Sequence, residues 1–502
     1  MNAPHELYSG PQLQPSDPDP TKSFVPPAFS KPVGFDRKRI AVLPFTNISP
    51  DPQDGYFADG LTEELITTLS KLQGLRVIAR TSSSHYSGTS KSVSQIANEL
   101  QVGTVLEGSV RKAGNKIRIT AQLVEAMGQE HLWAEQYDRD LSDIFVIQSD
   151  IAKHVATGLE ITLLSADKQR IEAKETENVA AHVAYLKGRT LLHDRTEKAM
   201  RDAQEQFELA IKRDPNYAQA YAGLADFYRI LWDWNYAPRA ECEEKSKAFV
   251  EKALGLDPDL PEAHLSLAAI LHADYQFTEA AKEFQRAITL IPSNATAHHW
   301  YSLCLRDLGK HKEALSEILR AEELDPLSLI INDHVFDQYL SMGNEEEALK
   351  RLQKSKEIAP EGPDALVLEA YYYEYKSNYN QALTTRGRLK QLWPTSLDAS
   401  TYDSDVAWLY AKMNRGREAI QILNKMLSGS NKGGLLRALA IAGVYAALGD
   451  LDECWKWLDK AFDARTTQLL GVLRSSPFWE RERRDPRFGA LLERAGVEPP
   501  TV

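Results

Sequence analysis

The sequence predicts a small α/β domain followed by an all-α solenoid of stacked helix pairs. Three observations carry this. Five prolines, Pro258, Pro292, Pro326, Pro360 and Pro394, recur every 34 residues. Four alanines, Ala280, Ala314, Ala348 and Ala382, keep the same period, each after an acid or amide (Glu279, Glu313, Glu347, Gln381). Ahead of both ladders, residues 37–170 alternate strand-like and helix-like apolar runs, the pattern of a sheet covered by helices. Between prolines the spacing is helical, as in Phe284, Ala287 and Ile288 at i, i+3, i+4. Each proline ends the second helix of a pair, because it lacks an N–H and disfavours helix in the residue before it. Asp257 and Asp325 suit the turn. The alanines fit where two helices cross closely.

Composition narrows the classes. A chain of 502 residues exceeds one core. With 43% hydrophobic and 26% charged residues it reads as a soluble globular protein. A net charge of −12 argues against a general nucleic-acid binder. Cys242, Cys304 and Cys454 lie far apart with no C-x-x-C, so no zinc ribbon or redox pair is expected. No apolar run reaches the roughly 18 residues of a membrane span. MNAPHELYSG lacks the pattern of a secretory signal, so a cytoplasmic location is expected.

In chain order, residues 1–36 hold eight prolines and few apolar residues, and are expected to be a disordered lead. A docking role there has no specific Pro-rich motif behind it. Residues 37–170 follow as the α/β domain. Arg39–Phe45 reads as a buried strand and Asn47–Gly55 as a turn cluster. Leu61–Leu72 reads as an amphipathic helix, Leu75–Ala79 as a second strand and Ser94–Leu100 as a short helix. Thr104–Arg111 and Lys116–Val124 form a hairpin around Ala113-Gly114-Asn115, His131–Tyr137 is a further strand, and Ile144–Leu164 is helical.

The strings AVLPF, YFADGLTEELITTLS, LRVIARTSS, VLEGSVRKAGNKIRITAQLVEA and HLWAEQYDRDLSDIFVIQSDIA, spread over about residues 38–160, resemble the TolB-N-like (FlgO-related) domain of bacteria and archaea. The resemblance implies a fold like the N-terminal domain of TolB, a prokaryotic signalling context, and repeats downstream. Longer members carry a nucleotidyl cyclase, a winged-helix DNA-binding domain or a kinase in front. The 36-residue lead is too short for such an effector, so those activities are not expected to transfer.

The domain's own polar residues are Asp59, Glu63, Glu64, His85, Glu107, Arg111, His131, Asp138, Arg139 and Asp143. Paired carboxylates can do acid–base work. The plainer expectation is structural: Thr62 caps a helix, Glu63 and Glu64 complement its dipole, and Asp138, Arg139 and Asp143 pair or cap in a loop. No phosphate-binding glycine loop and no H-E-x-x-H occurs, so no catalytic residue, cofactor or metal is assigned. Arg80, Thr81 and Ser82, in a polar run after a strand, are the candidate ligand loop, with a cation and hydroxyls to offer a phosphate.

Residues 171–179 (EAKETEN at their centre) read as a charged linker, 180–470 as about eight helix pairs, and 471–502 as a cap and tail. The 34-residue unit resembles the tetratricopeptide repeat. That family places positions 2, 5, 9 and 12 of each first helix in a concave groove. With proline at position 32, the resemblance assigns Glu262, Leu265, Ala269 and His272, then Thr296, His299, Leu303 and Arg306, then Ile330, Asp333, Asp337 and Leu340, then Asp364, Val367, Tyr371 and Glu374. The groove candidates are His299, Arg306, Asp333, Asp337, Asp364, Tyr371 and Glu374. Members that clamp a peptide carboxylate use Lys, Arg and Asn; these acids would repel one, so a basic or amphipathic protein segment is expected, anchored on Tyr371. His264 and His298 share one repeat position, which points to packing rather than a metal. Pro215 to Pro258 spans 43 residues, and the nine extra fall near Trp232, Trp234 and Tyr236, a candidate contact loop. The RERRDPR run beside Phe478, Trp479 and Phe488 suits a capping helix. The expectation is a non-enzymatic scaffold or adaptor in signalling. The alternatives are a small-ligand or nucleotide sensor in the α/β domain, and a regulatory part of a cyclase or transcription-regulator system.

Overall fold

The computed structural model describes residues 35–194, 196–233, 236–394, 399–428, 436–466 and 468–498. The expectation for the proline-rich lead therefore lies outside the described residues, as does Trp234.

Phe35 onward forms one compact unit. It begins with β1 (Arg39–Val42), β2 (Thr46–Asn47), α1 (Gly55–Ser70), β3 (Arg76–Val77), α2 (Arg80–Ser84), α3 (Val93–Leu100), β4 (Thr104–Ala113), β5 (Lys116–Glu125), β6 (His131–Asp140), α4 (Ile144–Gly158) and α5 (Ser165–Glu172). The strand order is β3-β1-β4-β5-β6, with β2 beside β4. β1 is parallel to β3 and β4, and β4, β5 and β6 form an antiparallel meander. Central β1 is covered on both faces, which is why Arg39–Phe45 is apolar without alternation. Ile40 and Val42 meet Leu61, Leu65 and Leu69 of α1 and Ile151 of α4. Ala41 meets Ile96 and Leu100 of α3 on the other face.

Several local expectations change. α1 starts at Gly55, not Leu61, because nothing between them breaks a helix. Thr62 is therefore mid-helix and caps nothing: its Oγ1 donates to the Ala58 carbonyl (2.8 Å) and accepts from the Phe45 N–H (3.0 Å). Glu63 and Glu64 lie beyond the first turn, where the dipole no longer acts on them. The strand at Leu75–Ala79 shrinks to Arg76–Val77, and the run from Arg80 to Ser84 is a helical turn rather than a loop. Asp138 and Arg139 belong to β6, where Asp138 accepts from Arg118 Nε across the ladder (2.6 Å). The helix expected over Ile144–Leu164 breaks after Gly158, with Glu160 at φ +53°.

Eight helix pairs follow among the described residues. They are α6 (Val179–Leu192) and α7 (Glu197–Arg213); α8 (Ala218–Asp233) and α9 (Arg239–Leu256); α10 (Pro261–Ala273) and α11 (Phe277–Leu290); α12 (Ala295–Asp307) and α13 (His311–Leu324); α14 (Leu329–Ser341) and α15 (Glu345–Ile358); α16 (Asp364–Tyr375) and α17 (Tyr379–Leu392); α18 (Ala399–Lys412) and α19 (Gly416–Ser428); α20 (Leu436–Leu448) and α21 (Leu451–Asp463). The four ladder alanines, then Ala419 and Cys454, are all fully buried. The long second repeat absorbs most of its insertion as helix: α8 and α9 have 16 and 18 residues, against 13 and 14 in the next pair. His264 and His298 make the same two bonds. One ring nitrogen meets Glu283 or Glu317, and the other meets the carbonyl of Pro258 or Pro292. The repeated histidine thus ties the proline turn to the following helix.

The tail is α22 (Leu469–Ser475), α23 (Glu480–Arg483) and α24 (Pro486–Arg494). It does more than end the eighth pair. One apolar cluster joins Phe284 and Leu305 of the third and fourth pairs to Trp455 of the eighth and Leu469, Leu470 and Leu473 of the tail. At about 1.5–3 kcal/mol per fully buried leucine, this contact is substantial. Tyr275 Oη also donates to the Thr466 carbonyl (2.8 Å), and Arg239 Nη1 to that of Arg465 (2.9 Å). The array therefore folds back onto its own third and fourth repeats.

Candidate functional site

First helices of consecutive repeats place matching positions side by side, and the groove positions form a polar row. His299 Nε2 meets His334 Nδ1 at 2.7 Å. Burial, and then Arg306, push His299 down to about 4. Burial, then His299 and Arg306, push His334 well below its usual range, so both rings are neutral and one can donate to the other. Arg306 Nη1 donates to Asp337 Oδ2 (2.9 Å), and Tyr371 Oη donates to Asp337 Oδ1 (3.0 Å). Arg386 Nε donates to Glu374 Oε1 (3.1 Å). Burial still pushes Glu374 up to about 7, against Arg386 and with Asp405.

Two groove acids differ from these. Among the described residues, neither Asp333 nor Asp364 makes a side-chain hydrogen bond or ion pair, and Asp333 Oδ1 is buried without a partner. Burial, and then Asp364, push Asp333 up to about 7. Ile330, three residues before Asp333 on α14, is 61% exposed. The seven groove candidates thus divide: five are engaged within the chain, and Asp333 and Asp364 are not.

The tail crosses the engaged part. Arg306 Nη2 donates to Gln468 Oε1 (2.8 Å), Gly471 N–H donates to Asp307 Oδ1, and Arg474 Nη1 donates to the Asp307 carbonyl (2.9 Å). A Cβ on Gly471 would sit 2.7 Å from Arg306 Nε, so any larger residue would have to displace the Arg306 side chain. The Phe478 ring lies edge-on to Tyr371 (5.1 Å) and to Trp408 (5.2 Å). Tyr371, the expected anchor, is in contact with the chain's own tail.

The candidate ligand loop is likewise engaged internally. Thr81 Oγ1 donates to Asp325 Oδ2 (2.7 Å), and Ser82 Oγ donates to Asp325 Oδ1 while accepting from Leu327 N–H (2.9 Å). Ala79 N–H donates to the Leu324 carbonyl (2.7 Å). Arg80 Nη1 donates to Glu63 Oε2 (2.8 Å), and Arg189 of α6 donates to the other oxygen of Glu63. Burial alone would raise Glu63; Arg189, with His193 and Arg80, overrules it and holds the carboxylate well below its usual range. These residues clasp the α/β domain to the first and fourth repeats. Of the aromatic loop, Trp232 ends α8 at 3% exposure under the Arg239 guanidinium, and Tyr236 is 43% exposed.

Sequence reasoning missed Asp325 as a docking carboxylate and Phe478 as a groove contact. Asp325 looks like any aspartate before a ladder proline. Its use is set by Thr81 and Ser82, more than 240 residues away.

A model of the "HilA/YgeH-like transcriptional regulator, second domain" matches residues 36–154. The N-terminal domain is therefore similar to that family; the TolB-N-like relation is not what this match describes. Over 237 residues the chain is 37% identical to "Putative adenylate cyclase 3" of Rhizobium meliloti (strain 1021), covering 46% of this chain and 40% of that protein. It is 24% identical over 292 residues to transcriptional regulator HilA of Salmonella typhimurium, covering 57% and 51%. The chain thus spans about half the length of the curated relatives it matches. PilW, a type IV pilus biogenesis factor of solved structure, aligns with a TM-score of 0.37 at 18% identity, over 44% of this chain and 96% of that chain. No helix among the described residues is long and apolar enough to cross a membrane.

Proposed function

We propose that the chain is a non-enzymatic protein-binding scaffold whose repeat face takes a basic or amphipathic segment of a partner protein. The observation that carries this is the Asp333–Asp364 pair. Two neighbouring carboxylates, one driven up to about 7, have no cation among the described residues, and an exposed Ile330 lies alongside. A lysine or arginine would relieve the acids while an apolar neighbour covered Ile330. The tail engages Arg306 and Tyr371, and among the described residues it makes no side-chain bond to Asp333 or Asp364. The test is affinity capture of a partner from lysate on the intact chain and on Asp333→Lys with Asp364→Lys. A protein held by the first, lost by the second, and whose binding segment proves basic supports the reading. Equal capture by both contradicts it.

A second reading is favoured by the match over residues 36–154. In it the chain is the regulatory region of a transcription-regulator or cyclase system in a prokaryotic cytoplasm, and the α/β domain senses a small ligand or nucleotide. A rise in thermal midpoint with one member of a nucleotide panel would favour it. The bonds of Thr81 and Ser82 to Asp325 join the α/β domain to the fourth repeat, which supports a relay in this reading.

A further inference from the structure

Where α1, the linker after α5 and α6 meet, three side chains from separate elements converge. One carboxylate oxygen of Glu64, one of Glu175 and one ring nitrogen of His182 all lie within 4.8 Å of one another. His182 is 0% exposed. Its Nδ1 meets the Tyr217 hydroxyl at 3.0 Å, and its Nε2 is buried with no partner. The Phe145 ring packs on the imidazole at 4.4 Å between centroids, which fixes its plane. Tyr217 Oη also donates to Glu175 Oε2 (3.4 Å), so one phenol orients two of the three groups.

The charges at this point do not balance. Glu64 has no hydrogen bond or ion pair among the described residues, and Glu262 adds a third carboxylate to the local field. Lys71 faces the cluster, and Arg189 nearby is committed to Glu63. Burial, and then the Glu175 charge, push Glu64 upward; burial pushes Glu175 upward too, with Glu262 and against Lys71. Burial pushes His182 down to about 3, so its ring is neutral, the form that binds metals. Charges away from water are paired or bound to a cation, and an unpartnered imidazole nitrogen is costly for the same reason.

We propose that Glu64, Glu175 and His182 bind a divalent transition-metal cation that joins the α/β domain to the first helix pair. The donor set decides the class: one imidazole with two carboxylates suits Zn²⁺ or Mn²⁺, whereas Mg²⁺ and Ca²⁺ favour oxygen alone. Tyr217, bonded to the ring nitrogen opposite Nε2, is the outer partner that orients such a histidine. The cation replaces a repulsion with a bond between α1, the linker and α6. It thereby fixes the N-terminal domain on the array.

The test uses the full chain, stripped with a chelator, dialysed and titrated with ZnCl₂ in a calorimeter. MgCl₂ serves as the control. The expected result is one Zn²⁺ per chain, a higher thermal midpoint with Zn²⁺ and no shift with Mg²⁺. Glu64→Gln should fold, since it removes one acid from a crowded group, and should weaken Zn²⁺ binding at least tenfold. Glu175→Gln, in the linker, is the second variant. Anomalous diffraction at the zinc edge on the unaltered chain locates the ion without any variant. No stoichiometric binding, binding by both variants as tight as that of the unaltered chain, or an anomalous peak elsewhere would overturn the proposal and leave an acid pair sharing a proton.

Discussion

The chain packs against its repeat array at both ends, and the two seams differ in where their polar groups fall. The N-terminal seam sets buried polar clasps beside an apolar contact of α1 with Leu186: Glu63 between Arg189 and Arg80, and Asp325 between Thr81 and Ser82. The C-terminal seam is mainly apolar: Leu469, Leu470 and Leu473 against the third and fourth repeats, and Phe478 between Tyr371 and Trp408. The two should fail differently. Removing one partner of a buried ion pair strands the other charge, so the polar seam breaks sharply and responds to pH. The apolar seam loses stability in proportion to the volume removed and is indifferent to pH. A polar seam also fixes one geometry, which suits a joint that must hold orientation. An apolar one can release its segment and dock again.

The largest expected effect is on the polar seam. Arg189→Met leaves buried Glu63 with Arg80 and His193 alone and should cost up to about 3–5 kcal/mol in urea unfolding. A loss below about 1 kcal/mol would show that water already reaches the pair. Phe478→Ala comes next, at about 2–4 kcal/mol, read as faster proteolysis of the tail with an unchanged N-terminal domain. Slower cleavage would contradict the docking of Phe478. Ser82→Ala removes one donor from Asp325 and should cost about 1–2 kcal/mol, while Asp325→Asn retains part of the clasp and should cost less than Asp325→Ala.

The smallest effect is a matter of pH. Asp333 has a raised pKa in the folded chain, about 7. Its protonated form therefore contributes stability below the usual aspartate range, and that contribution is lost as pH rises through about 7. Asp333→Asn should remove this dependence and gain on the order of 1 kcal/mol over the unaltered chain at pH 8, with little difference at pH 4. A gain of equal size at both pH values would assign the effect to something other than ionisation.

How much of this was legible follows the same division. The regular repeats repeat their contacts every 34 residues, so the ladders of proline and alanine, and even the shared role of His264 and His298, stand in the sequence. Each seam occurs once and joins residues far apart, such as Ser82 with Asp325 or Tyr371 with Phe478. No period marks them. The groove acids were legible as residues, but their pairing was not. Asp337 and Glu374 look as free as Asp333 and Asp364 until Arg306 and Arg386 are seen beside them. Within the α/β domain the apolar runs place the strands, while Thr62 reads as a cap only if α1 begins at Leu61; the helix begins at Gly55, which puts Thr62 in its middle.

The most direct measurement is fluorescence anisotropy of a labelled Lys-rich amphipathic peptide, with a Glu-rich peptide of the same apolar pattern as control. The unaltered chain and Asp333→Asn with Asp364→Asn are compared at low and high salt. The account predicts that the basic peptide alone binds, that salt weakens it, and that the double variant loses at least tenfold in affinity. Equal binding of both peptides, or of both proteins, would contradict the claim that the unpartnered acid pair makes this repeat face a receptor for basic segments.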